Sequence, residues 1–153
     1  MTAVSYESEL ERTGQIIITI QGTSMRPLFR AGSDAIIVKQ CPADTLKNLD
    51  IVLFRRAGVN GEQYVLHRIV GRQDDGRFII AGDNCLDADI VSPQDILGIA
   101  VSAQRGGSPV PLSGIRYAAY AKLWCAPYKM RFAVLRMKNR LYNAAKKITS
   151  RRR

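Results

Sequence analysis

The last 40 positions of this 153-residue chain contain no Asp or Glu. They hold 12 of the 23 Lys and Arg residues, a formal sum of +12, while residues 1–113 hold the other 11 together with all 13 acids, a sum of −2. The net charge of +10 therefore belongs to a tail, and it gives little support to a nucleic-acid surface spread over the whole protein. Histidine is nearly absent: His67 is alone. The cysteines, Cys41, Cys85 and Cys125, are odd in number and lack CxxC or Cys/His spacing, which argues against a disulfide framework or a structural zinc site. No metal and no cofactor is expected. Long apolar runs are missing too, since nothing approaches the roughly 18 to 20 uninterrupted residues of a spanning helix. Met1 to Gly14 carries Glu7, Glu9 and Glu11 but no basic region followed by an apolar core, so no targeting peptide is read there. The expected location is cytoplasmic, or peripheral at a membrane surface.

What is present suits a folded protein. At 46% hydrophobic and 24% charged, the composition opposes wholesale disorder, and the length suits one domain with an appendage. Thr2 to Arg12 reads as a short helix, with Val4, Tyr6 and Leu10 apolar and Gly14 as its stop. Six runs rich in Ile and Val then read as strands: Gln15–Gln21, Asp34–Lys39, Asp50–Arg55, Gln63–Arg72, Arg77–Ala81 and Ile96–Gln104. The intervals are mostly too short for crossover helices, and Asp74-Asp75-Gly76 reads as a hairpin turn. The prediction is a mainly β fold, an antiparallel, partly open, barrel-like domain over residues 1–113.

Gly106-Gly107-Ser108-Pro109-Val110-Pro111 marks a break, after which residues 114–153 read as a basic helical extension. Tyr117 to Ala126 and Tyr128 to Ile148 are helical in pattern, divided by Pro127. Met130, Val134, Met137, Leu141, Ala145 and Ile148 recur at spacings of four and three, forming one apolar stripe. Lys129, Arg136, Arg140 and Lys147 occupy other faces, and the chain ends in Arg151-Arg152-Arg153.

Three clusters carry chemistry. Gly22-Thr23-Ser24-Met25-Arg26-Pro27 follows a strand and has the composition of an exposed turn, where a serine either bonds its own backbone or meets an extended peptide as a nucleophile. In Tyr64-Val65-Leu66-His67-Arg68-Ile69-Val70-Gly71, strand alternation puts His67 on an apolar face with Val65 and Ile69. A residue there is either a core histidine or the base that a serine hydroxyl needs, since the imidazole pKa of about 6.5 suits proton transfer near neutrality. Gly82-Asp83-Asn84, with Asp87 and Asp89 beyond it, is either a solvated acidic loop or the source of the carboxylate that orients His67.

Taken together, Ser24-Met25-x-Pro27, Asp50-Ile51-Val52, His67-Arg68-Ile69-Val70-Gly71 and Gly82-Asp83-Asn84 resemble the signal peptidase I superfamily, which includes LexA-like self-cleaving repressors. The match covers roughly residues 16–103. Many bacterial members have a lysine where His67 stands, so the chain is similar to the Ser/His branch. The resemblance implies a serine endopeptidase with Ser24 as nucleophile, His67 as general base and Asp89, six residues beyond Asp83, as orienting carboxylate. Asp83 is the structural or catalytic competitor for that last role. Some family members carry a hydroxyl residue two positions before the nucleophile to hold the oxyanion; here that position is Gly22, so the oxyanion would rest on the Ser24 N–H, with or without the Thr23 hydroxyl.

The implied substrate is a signal peptide or precursor protein. Signal peptidases usually have a spanning anchor ahead of the serine motif, whereas 23 mostly polar residues precede Ser24. Two roles are open for residues 117–153. They form an interfacial anchor for an anionic membrane surface, aided by Trp124 and nearby tyrosines, or they cover an open sheet face with Leu123, Trp124, Phe132 and the Met stripe. The competing functions are a LexA-like autoproteolytic module, a degenerate binding module whose tail contacts membrane or nucleic acid, and a thiol enzyme using Cys85 beside His67.

Overall fold

The computed structural model describes residues 5–59 and 61–150, except the side chains at 148–150. The expected helix start at 2–4, the Ile148 end of the stripe and Arg151-Arg152-Arg153 lie outside the described residues. Helix α1 runs Tyr6–Thr13. Ser5 caps it by accepting from the Ser8 N–H at 3.2 Å, and Gly14, at φ 73°, ends it by donating its N–H to Leu10 O at 2.7 Å. Its one buried residue, Leu10, docks the helix on the core.

Eight strands follow: β1 (Gln15–Thr19), β2 (Asp34–Lys39), β3 (Ile51–Gly58), β4 (Gly61–Arg72), β5 (Phe78–Ala81), β6 (Asp89–Val91), β7 (Ile96–Arg105) and β8 (Ser108–Val110). They form one antiparallel sheet in the order β1-β2-β7-β3-β4-β5-β6, with β8 paired to β7. The sheet is open, with β1 and β6 at its ends. The expected turn at 74–76 is a hairpin: Gln73 N–H donates to Arg77 O at 2.8 Å, Gly76 N–H to Gln73 O at 3.0 Å, and Asp75 accepts from the Arg77 N–H. Irregular pairing at Ile37/Val38, Leu53/Phe54 and Ile69/Gly71 adds local twist.

Alternation along β3 divides the core. Ile51 and Leu53 join Ile16, Ile18, Ile36, Val38 and Leu66, while Val52 and Phe54 join Ile69, Phe78, Ile80 and Val91. Both faces of the central strands are therefore covered.

The carboxy-terminal part comprises α2 (Ile115–Tyr120), a π-helical turn (Ala121–Cys125) and α3 (Tyr128–Ser150). The turn is closed by Ala126 N–H donating to Ala121 O at 2.8 Å, and Pro127, lacking an N–H, separates it from α3. Phe132 packs with Val70 and Ala81. Arg68 on β4 is fully buried and uses three nitrogens: Nε and Nη2 donate to the two Asp83 oxygens at 2.8 Å each, while Nη1 donates to Leu49 O and Tyr117 Oη at 2.9 Å each. Tyr120 Oη donates to Asp83 at 2.8 Å. Burial works against the guanidinium charge, but the hydrogen bonds and charge of Asp83 outweigh it and hold Arg68 above its ordinary pKa.

Removing one member of such a pair leaves the other buried and uncompensated. Asp83→Asn is expected to lower stability by about 3 to 5 kcal/mol in urea denaturation, and an Arg68→Met/Asp83→Leu double variant to lose less than the single one. A double variant weaker than Asp83→Asn would show that the ion pair stabilises more than apolar packing can.

Candidate functional site

Ser24 lies in the turn after β1. Arg26 N–H donates to Thr23 O at 3.1 Å and Phe29 N–H to Met25 O at 2.9 Å, while the buried Met25 and Phe29 side chains anchor the turn in the core. Ser24 itself is half-buried and Thr23 is exposed. The Gly82-Asp83-Asn84 segment clamps this turn from across the molecule: Asn84 N–H donates to Ser24 O at 2.8 Å and the Asn84 side-chain amide to Thr23 O at 3.2 Å. No backbone carbonyl among the described residues accepts from the Ser24 N–H.

His67, on β4 opposite Val52, is buried, and its ring lies 6.2 Å from that of Phe54, centroid to centroid. Its Nε2 and the Ser24 carbonyl both lie beside Gly82. A Cβ built on Gly82 would stand 2.6 Å from Cys85 Sγ, 2.7 Å from Ser24 O and 2.9 Å from His67 Nε2. The serine backbone and the imidazole thus approach across a gap that only glycine leaves open. Ser24, His67, Cys85, Asp87, Asp89 and Arg56 all line one cavity of about 470 Å³, with Ile18, Ile20 and Leu53 among its apolar walls.

The two candidate carboxylates have separate positions. Asp83 is fully buried behind the site, its oxygens committed to Arg68 and Tyr120. Asp89, the first residue of β6, places Oδ2 3.9 Å from His67 Nδ1, too far for a hydrogen bond. Its oxygens instead accept from Arg56 Nη1, both at 3.0 Å. Nδ1 is buried and has no hydrogen-bond partner among the described residues. Asp89 is therefore the carboxylate beside the imidazole, poised but not engaged, and Asp83 is the one that fixes the loop.

Burial pushes the His67 pKa down from 6.5 to about 4, against the opposing pull of Asp89 and with Arg56 adding to the depression. The imidazole is neutral at pH 7, with a lone pair available. Because the folded protein resists its protonation, this group leaves stability intact above pH 6.5 and erodes it as pH falls towards 4. Cys85 Sγ lies 3.9 Å from Nε2, but burial raises the thiol pKa, which keeps it protonated near neutrality and unlike an activated cysteine. Among the described residues no three His, Cys, Asp or Glu side chains converge as a metal-ligand set.

Sequence reasoning missed the residues that support the site. Arg56, at the outer end of β3, looked like one charge among many. Arg131 was hidden in the basic tail, yet it is buried, donating from Nη2 to Gly82 O at 3.1 Å and from Nη1 to Cys125 O at 3.3 Å. Trp124, read as a membrane-facing or sheet-covering residue, donates its indole N–H to Asp83 O at 3.2 Å. Only the alternative uses of polar atoms in three dimensions distinguish these roles.

With one histidine, the imidazole resonances report the site directly. Arg56→Gln is expected to raise the His67 pKa in an NMR titration, and to raise it less in an Asp89→Asn background, because freed Asp89 then reaches Nδ1. An equal shift in both backgrounds would mean that Arg56 acts on the imidazole by charge alone. No protein-family model, no curated protein and no solved structure matches this chain.

Proposed function

We propose that the chain is a serine endopeptidase of the signal peptidase I type, acting on an extended signal or precursor peptide with Ser24 as nucleophile and His67 as general base. One observation carries the proposal: the only histidine places Nε2 beside Gly82, opposite the Ser24 carbonyl, in a cavity that Ser24 and Asp89 also line, with Asp89 Oδ2 3.9 Å from Nδ1. A neutral buried imidazole is the form required of a base.

In this reading the peptide lies along the cavity beside Ile18, Thr19, Ile20 and Gln21, the segment leading from edge strand β1 into the serine turn. An extended chain suits an unpaired strand edge. Ser24 Oγ attacks the scissile carbonyl while its proton passes to Nε2, and the oxyanion is stabilised by the Ser24 N–H. Protonation makes Nδ1–H a stronger donor and draws Asp89 inward, which stabilises the imidazolium. The imidazolium then protonates the departing amine as the C–N bond breaks. Water, deprotonated by His67, hydrolyses the ester, and the proton returns to Ser24.

The thiol alternative is disfavoured by the raised Cys85 pKa. Cleavage of a precursor peptide with small residues before the scissile bond is expected to fall by at least about 10³-fold in Ser24→Ala and in His67→Ala, and to persist in Cys85→Ala. Activity that survives Ser24→Ala but disappears with Cys85→Ala would replace the serine mechanism by a thiol one. Gly82→Ala is expected to abolish cleavage as well, since its methyl group would intrude between Ser24 O and Nε2.

A further inference from the structure

The apolar stripe of α3 is not the face that holds the helix to the domain. The seat consists of Arg131, Phe132 and Leu135, all buried, with Tyr128 half-buried beside them. Met130, Val134, Met137 and Leu141 are instead 62%, 41%, 59% and 66% exposed. At about 100° per residue, the centre of this stripe lies roughly 140° around the helix from the centre of the seat. The alternative in which the Met stripe covers a sheet face is therefore overturned: Phe132 packs inward and the stripe faces away.

The charges are arranged around that stripe. Lys129 and Arg140 fall on one side of it and Lys138 on the other, each about 70° to 110° from its centre. The whole of α3 contains no acidic residue. A stripe of flexible Met and Leu side chains, bordered on both sides by long basic ones, matches a bilayer interface. There the apolar groups enter the acyl boundary while Lys and Arg reach back to phosphate. The helix is not apolar enough to cross a membrane: no described helix is.

We propose that α3 docks the protein on an anionic phospholipid surface, lying in the interface with Met130, Val134, Met137 and Leu141 inserted and Lys129, Lys138 and Arg140 on the headgroups. Charge complementarity favours this occupant: an acid-free helix faces a negative surface, whereas a second copy of this chain would bring like charge against like. Seating through Arg131, Phe132 and Leu135 leaves the docking face outward while the same element supports the Gly82 loop.

The test is co-sedimentation of the full chain with phosphatidylcholine vesicles, with and without about 30% phosphatidylglycerol, over a salt series. Binding is expected only with the anionic lipid and to weaken as salt rises. Met137→Glu/Leu141→Glu, at exposed positions that leave the fold intact, is expected to reduce partitioning on the order of tenfold or more. Unchanged partitioning of this variant would overturn insertion of the stripe. So would binding to duplex DNA without binding to vesicles, or a concentration-dependent dimer that the variant abolishes while no vesicle binding occurs.

Discussion

The buried pair of Arg68 and Asp83 joins the sheet, the serine turn and the carboxy-terminal helices. Neither charge has contact with solvent, so each depends on the partners that the fold provides. Arg68 reaches from β4 to the Gly82-Asp83-Asn84 loop, to Leu49 O and to Tyr117, and Asp83 in turn accepts from Tyr120. With Asp83 fixed, Asn84 can hold the carbonyls of Thr23 and Ser24, and Gly82 can sit against His67 Nε2. The position of the Gly82 loop beside Ser24 and His67 thus depends on an ion pair that hydrogen-bonds to neither of them.

The basic tail has two physical roles, divided along its length. Its first part supplies buried or half-buried contacts to the Gly82-Asp83-Asn84 loop, through Tyr120, Trp124 and Arg131. Arg136, one turn further, still donates to Leu86 O at 2.8 Å. Beyond it the described side chains up to 147 are exposed, and the apolar stripe continues without cover from the domain. A charge count that treats residues 114–153 as one appendage misses this division, because burial and not composition separates Arg131 from Arg140.

Much of the architecture was legible because the strands carry their own pattern. The six Ile- and Val-rich runs all form strands, and the Asp74-Asp75-Gly76 signal marks a real hairpin. The two additional strands, Asp89–Val91 and Ser108–Val110, are three residues each and exist through pairing with β5 and β7, so local pattern gave no sign of them. The first strand ends at Thr19 instead of Gln21, leaving Ile20 and Gln21 to line the cavity. Asp89 could be singled out by resemblance, but its competition between Arg56 and His67 depends on a contact 33 positions apart in sequence. The helical division at Pro127 followed from the missing N–H, while the π-helical turn before it, closed by Ala126 N–H donating to Ala121 O, is encoded by no periodicity.

The claim at the centre is that Ser24 becomes nucleophilic through His67. Reaction with a fluorophosphonate, followed by intact and peptide mass spectrometry, tests it without knowledge of the natural substrate. The account predicts one covalent adduct per chain, on Ser24, formed in the native protein and absent from His67→Ala. An adduct on Cys85, or labelling of Ser24 that proceeds equally without the imidazole, would contradict it.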